Sequence, residues 1–198
     1  MSQKRILISE DETILRIWLR QQFKRQGYDV LEAQDGEAAV AIATSQVVDS
    51  IIMDIKMPKR DGLAASADIM RQRPVAIIVL TAYGEAQTVA RALEAGVSWY
   101  LVKPVEAAQL APAMVMAQAK FQEMMALRKQ VASLEDALAL RKLLDKAKGI
   151  LMRELGLDEA GAHQFLQRLS SQQSLPLKET AERVIVAANT IGQAASFQ

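Results

Sequence analysis

Four times in the first 103 residues, a run of apolar side chains stops at a polar or charged one. Ile6-Leu7-Ile8-Ser9 meets Glu10-Asp11, and Ile51-Ile52-Met53 meets Asp54. Val75–Leu80 meets Thr81, and Trp99–Val102 meets Lys103. Short, nearly continuous apolar runs of this kind suit strands covered on both faces. Asp29–Ala33 is a fifth, weaker strand. Helical spacing fills the gaps. Ile14, Leu15, Trp18, Leu19 and Phe23 recur on one stripe, and Gly27 suits the stop. Glu37–Ser45 is alanine-rich helix, Leu63–Arg71 is helical up to Pro74, and Glu85–Ala95 is a helix closed by Gly96. Strands joined by helix-length segments predict an α/β domain: a five-stranded, parallel, doubly wound sheet with helices on both faces.

From about Ala113 the pattern changes, and no strand signal follows Val102. Met124, Leu127, Val131, Leu134 and Leu138 alternate three- and four-residue spacings, as in a coiled-coil seam. Arg141 takes the next seam position, and the stripe restarts out of phase at Leu140, Leu144, Ala147 and Leu151. That phase shift places the end of the coiled coil there. Gly156 closes the long helix, and Asp158 can cap the next, with Ala162, Phe165, Leu166 and Leu169 on one face. Ser170–Ser174 reads as a polar loop, Pro176 suits a helix start, and Leu177, Ala181, Val184, Ile185 and Ala188 form a last stripe. The tail Gln193–Gln198 is expected to fray. The division is thus 1–120 for the α/β domain, 121–140 for a coiled-coil connecting helix and 141–198 for an all-α three-helix domain. Three helices, two of them short, gain stability by docking or dimerising, so a homodimer is expected.

Composition narrows the chemistry. A net charge of +1 on 198 residues gives no global pull toward nucleic acid or membrane, so any such site must be local. There are no cysteines and a single histidine, His163, which excludes thiol catalysis and zinc sites of the usual spacing. No stretch resembles a signal peptide or a membrane span, and a cytoplasmic protein is expected.

The strand ends supply the chemistry that remains. In an open parallel sheet the residues just past the strands share one crevice. Glu10, Asp11, Asp54, Thr81 and Lys103 would meet there. Three clustered carboxylates repel unless a cation sits between them. Oxygen ligands without nitrogen or sulfur select a hard ion, Mg²⁺ first among them. With the metal and Lys103 neutralising phosphoryl oxygens and Thr81 donating to one, a carboxylate could attack a phosphoryl group. Asp54, at the end of the central strand, is the best placed.

Residues 4 to about 118 resemble the receiver domain of two-component response regulators, a flavodoxin-like fold. The resemblance rests on Glu10-Asp11, Asp54 with Met57-Pro58 and Asp61-Gly62, Thr81-Ala82, and Lys103-Pro104. It implies that Asp54 accepts phosphate from a sensor histidine kinase. It also implies that Glu10, Asp11, Asp54 and the Lys56 carbonyl hold Mg²⁺, and that Thr81 and Lys103 bind the phosphoryl group. Tyr100 matches the family's switch aromatic.

Arg141, Lys142, Lys146, Lys148 and Arg153 form a basic stretch relieved by Asp145 and Glu154. On its own such a stretch is a modest nucleic-acid signal. Ala147-Lys148-Gly149-Ile150-Leu151-Met152, then Gly156-Leu157-Asp158-Glu159 and Ala162, resemble the ANTAR module, the RNA-binding output domain of AmiR- and NasR-type antiterminators. Arg168-Leu169-Ser170 and Leu177–Ile185 fit its third-helix pattern. One position departs: an aromatic often follows the alanine of the second helix, and here it is His163. The resemblance implies a regulator rather than an enzyme. It would bind RNA hairpins of a leader transcript through Arg141, Lys142, Lys146, Lys148, His163 and Arg168, and act by antitermination. A DNA-binding response regulator and a phosphorylation-dependent protein-interaction module are the alternatives. The apolar, alanine-rich last helix speaks against the first of these.

Overall fold

The structure is a computed structural model that describes residues 3–82 and 86–195, with side chains at 86–89 and 190–195 left aside. Glu85 and residues 196–198 of the tail lie outside the described residues. Five strands and seven helices follow in the order β1 (Arg5–Ser9), α1 (Thr13–Arg25), β2 (Asp29–Ala33), α2 (Gly36–Ser45), β3 (Ser50–Asp54), α3 (Gly62–Gln72), β4 (Ala76–Thr81), α4 (Ala86–Glu94), β5 (Trp99–Val102), α5 (Ala107–Leu155), α6 (Glu159–Gln173) and α7 (Leu177–Ala195). The chain forms two units, residues 1–126 and 127–198.

In the first unit the strands are parallel in the order β2-β1-β3-β4-β5. Their side chains alternate between two cores, as the strand period of two requires. Leu7, Ile51, Met53, Ile77 and Val79 face Ala39 and Ala43 of α2, Leu63 and Ile69 of α3, and Ala92 of α4. Ile6, Ile8, Ile52, Ile78 and Leu80 face Leu19 and Phe23 of α1 and Leu110, Ala113 and Ala117 of α5. The doubly wound sheet expected from the sequence is therefore present, and the strand order reverses between β1 and β3. That switch point is where an open α/β sheet offers its crevice.

Glycines set the loops beside the crevice. Gly62 opens α3 against the end of β3, where a Cβ would lie 1.9 Å from the Asp54 carbonyl oxygen. Only a residue without a side chain permits that approach. Asp61 caps the same helix, accepting from the Leu63 and Ala64 amides at 2.8 and 3.2 Å.

Four details differ from the sequence reading. Ile14, assigned to the apolar stripe of α1, is 78 % exposed; Leu19 and Phe23 of that stripe are buried as expected, and Arg16 is buried beside them. Met124, the first seam residue, packs against the core of the first unit. Ser170–Ser174 is not a loop, because α6 continues through Gln173 and Ser174 caps it in the left-handed region. Its polar side chains occupy the outer helix face, which polarity alone cannot distinguish from a loop. The Ser170 hydroxyl donates to the Leu175 carbonyl at 2.7 Å and ties down the exit. Finally, α7 runs through Ala195, into the segment expected to fray.

In the second unit Ala147 and Leu151 of α5 pack on Ala162 and Leu166 of α6 and on Ala181 and Ile185 of α7. Ala147 is wholly buried, so its small size serves helix packing. Gly149 has nothing within 4 Å of where a Cβ would stand. Of the two small residues, only Gly149 leaves open surface.

Candidate functional site: an acidic crevice and a basic groove

Adjacent parallel strands bring their C-terminal ends together, and the crevice follows from that register. Ser9 pairs with Met53 and Thr81 with Val102, so the residues one step beyond are neighbours. Carboxylate oxygens of Glu10, Asp11 and Asp54 all lie within 4.8 Å of one another. Lys103 enters from the end of β5. Its Nζ is 3.1 Å from Glu10 Oε1, 2.9 Å from Glu10 Oε2 and 3.2 Å from Asp54 Oδ1. The Lys103 amide donates to the Thr81 carbonyl at 2.8 Å, which fixes the base of the lysine beside Thr81. Glu10, Asp54 and Thr81 are buried, and Asp11 is exposed at the mouth.

Burial penalises charge here. It raises the Glu10 carboxyl above its ordinary value; the hydrogen bond from Lys103 opposes this, and the nearby Asp54 charge reinforces it. Burial likewise raises Asp54 against the pull of Lys103 and of the Ile55 amide, which donates to Asp54 Oδ1 at 2.9 Å. For Lys103 burial works against the ammonium, yet its bond to Glu10 and the charge of Asp54 outweigh it and raise the group. One ammonium thus serves two buried carboxylates and leaves both short of compensation. Glu10 Oε2 is buried without a hydrogen-bonding donor, although Lys103 Nζ stands at ion-pair distance. The ion-pair distance describes attraction, while the missing directional bond leaves an oxygen lone pair unused. A second, hard cation suits this donor set.

The remaining predicted residues of the first unit fall at the margins. Lys56 is exposed, two residues past Asp54 in the turn that leads to α3. Tyr100 is 47 % exposed on β5, an edge strand, and is therefore not a core aromatic.

The structure separates the predicted basic residues of the second unit. Arg141, Lys148 and His163 line one open groove of about 600 Å³, together with Asp145, Gly149 and Glu159. Arg168 lines another, with Gln164, Gln167 and Ser171. Lys142 and Lys146 are exposed and belong to neither lining. Lys148 is not an open charge: its Nζ lies 2.9 Å from Asp145 Oδ1 and 2.8 Å from Glu159 Oε1, and its side chain is only 16 % exposed. The hydrogen bond to Glu159 raises the lysine, and that from Lys148 lowers Asp145. Sequence reasoning missed Asp145 and Glu159 as parts of this surface. Asp145 sits three residues before Lys148 on the same helix face, which was the available signal. His163 Nε2 lies 3.1 Å from Gln167 Nε2, one turn on.

The comparisons with known proteins divide the chain the same way. Residues 6–115 match the response regulator receiver domain and residues 132–185 the ANTAR domain. The transcriptional regulatory protein PdtaR of Mycobacterium tuberculosis strain H37Rv is 40 % identical over 183 residues, covering 92 % of this chain and 89 % of that protein. A CheY-like receiver domain protein of Methanospirillum hungatei superposes with a TM-score of 0.58 at 26 % identity, covering 62 % of this chain and 99 % of that one. A CheX-CheY-BeF3-Mg+2 complex from Borrelia burgdorferi gives a TM-score of 0.54 at 30 % identity, covering 56 % of this chain and 86 % of that one. Among the described residues no helix is long and apolar enough to cross a membrane. The sheet order, the acidic crevice and the succession of matched domains lead to one assignment: this chain belongs to the response regulators that carry a receiver domain followed by an ANTAR domain.

Proposed function

We propose that Asp54 is phosphorylated by a sensor histidine kinase, and that the phosphorylated protein binds RNA hairpins in a leader transcript and promotes antitermination. The observation that carries the first half is the ammonium of Lys103 shared between Glu10 and Asp54, with a Glu10 oxygen left over. Mg²⁺ held by Glu10, Asp11, Asp54 and the Lys56 carbonyl would supply the second positive charge and neutralise phosphoryl oxygens. Asp54 is the nucleophile, since it is buried at the end of the central strand. Lys103 and the Thr81 hydroxyl hold the phosphoryl oxygens, and Tyr100 responds as the switch. The Borrelia burgdorferi complex, which pairs the same fold with BeF3 and Mg²⁺, supports this reading.

The second half rests on the ANTAR match and on the groove that gathers Arg141, Lys148 and His163. An imidazole can stack on an unpaired base while the cations meet phosphates, the usual manner of sequence-specific RNA recognition. Arg168 on the adjoining face, with Lys142 and Lys146 exposed on α5, would extend the contact. Segment 121–140 is the connecting helix between a receiver domain in 1–120 and the RNA-binding domain in 141–198, and its apolar seam makes the active form a homodimer. The ion pairs of Lys148 give one rival weight, a phosphorylation-dependent protein-interaction module, because they lower the charge available to RNA. RNA and DNA hairpins of one sequence, titrated with and without beryllofluoride and Mg²⁺, test the proposal. Preferential binding of RNA by the beryllofluoride form is expected. Preference for DNA, or no binding to tandem leader hairpins by a folded protein, would overturn it.

A further inference from the structure

Arg16 breaks the apolar face of α1. It lies three residues before Leu19 and seven before Phe23, so helical geometry turns it inward with them. Its side chain is only 9 % exposed. A charged group is rarely buried this deeply unless its donors are used. Arg16 uses them on the loop that carries the two acidic ligands. Its Nη1 donates to the Glu10 carbonyl at 2.8 Å and to the Asp11 carbonyl at 3.2 Å. Nη2 reaches the Thr13 hydroxyl at 3.5 Å. Nε stands 3.5 Å from Glu32 on β2, and Glu32 is held in turn by Arg20 at 3.0 Å. One planar fork thus ties two consecutive carbonyls of the β1–α1 loop to the neighbouring strand, with its geometry preset by the guanidinium. The loop contributes the buried Glu10 and the exposed Asp11, whose side chains point to the crevice cluster.

We propose that Arg16 is a positioning residue for divalent-cation binding: it fixes the backbone at Glu10 and Asp11 so that their carboxylates are already gathered before the ion arrives. This deepens the proposed Mg²⁺ site and rests on that reading. The mechanism is preorganisation. An untethered loop would let the repelling carboxylates splay apart, and the ion would then have to order them again. Outer groups that orient metal ligands commonly change affinity by about 10- to 100-fold when removed.

The sign of the effect discriminates. Arg16 is itself a cation beside a cation site, so loss of its charge alone would tighten Mg²⁺ binding. Positioning predicts weaker binding instead. Calorimetric titration of the full chain with Mg²⁺, and separately with Mn²⁺, compares wild type with Arg16→Met, which keeps the stem and removes the donors, and Arg16→Lys, which keeps the charge with one donor group. The expected result is about tenfold weaker binding of both ions by Arg16→Met and an intermediate loss in Arg16→Lys. Thermal melts with and without Mg²⁺ separate this from a merely structural role. General loosening lowers both melting temperatures equally, whereas lost positioning shrinks the Mg²⁺-dependent increment. Should Arg16→Met not fold, Arg16→Lys carries the test. Wild-type binding with unchanged or tighter binding by the folded variant overturns the proposal. Absence of Mg²⁺ binding by wild type removes the metal reading and this proposal with it.

Discussion

Asp54 and Glu10 are carboxylates that the fold places where neither is comfortable ionised. Both are raised by burial, and Lys103 offsets the cost only in part. A carboxyl raised in the folded state contributes stability that is fully present below its ordinary value and is lost as pH rises through the raised one. The ordinary values are 4.5 for Glu10 and 3.8 for Asp54. The metal-free protein therefore loses this contribution as the pH rises through the raised values, and Mg²⁺ bound as proposed would restore it. Melting curves should show a Mg²⁺-induced rise at pH 7 that fades as the pH falls toward the ordinary carboxylate range, where protons replace the metal. A rise independent of pH would contradict the assignment. Asp54→Asn removes the proposed nucleophile while keeping the shape. It should abolish labelling by acetyl phosphate with Mg²⁺, and it should raise the metal-free melting temperature at pH 7. Full labelling of that variant would show that another residue accepts the phosphoryl group.

At the scale of elements, α5 carries two separate surfaces. Leu127, Val131, Leu134 and Leu138 are all more than half exposed in the single chain. Leu134→Glu with Leu138→Glu would place charges in the seam of a dimer, and light scattering of the beryllofluoride form should then report monomer. An unchanged mass would remove the coiled coil from the proposal. Further along, Gly149 occupies a helix interior with no packing reason for a glycine. Gly149→Ala should stabilise α5 by up to about 1 kcal/mol from helix propensity. If the groove takes RNA, the same methyl should weaken hairpin binding, so a variant that melts higher and binds less is the expected combination. Lys148→Ala should flatten the salt dependence of RNA binding by one phosphate contact, roughly 0.7 to 0.9 units of log affinity per log salt. A slope that does not move would mean that Lys148 stays with Asp145 and Glu159 in the complex and serves only to join α5 to α6.

For the whole molecule the coupling between phosphorylation and output is bounded. A modification at Asp54 can raise RNA affinity only by its differential stabilisation of the RNA-competent form. If that form is the dimer, a chain already dimeric by concentration should show little further gain from beryllofluoride. Hairpin titrations at low and high protein concentration check this: the gain should shrink as concentration rises. An equal gain at both would place the switch inside each protomer instead.

Much of this architecture was written in local patterns. Buried parallel strands need continuous apolar runs, so β1, β3 and β4 were visible. β5 carries a similar run, yet it is an edge strand whose Trp99, Tyr100 and Val102 are exposed. The polar residue that ends each run was visible with them. Strand ends in a parallel sheet converge for geometric reasons, which is why Glu10, Asp11, Asp54, Thr81 and Lys103 could be grouped before any contact was known. What periodicity could not supply was the choice among helix faces and partners. The stripe of α1 included Ile14, but the sheet covers the face of Arg16, because the direction in which α1 crosses β1 decides what is buried. Polar residues 170–173 looked like a loop, since a solvated helix face and a loop share the same composition. The charge of Lys148 was countable in the sequence. Its pairing with Glu159 was not, because that bond joins α5 to α6 across a turn whose angle is set by Ala147, Leu151, Ala162 and Leu166 packing together. Residue type and spacing thus determined which groups could meet at the end of one sheet. Only packing decided which charges arrived free and which arrived already paired.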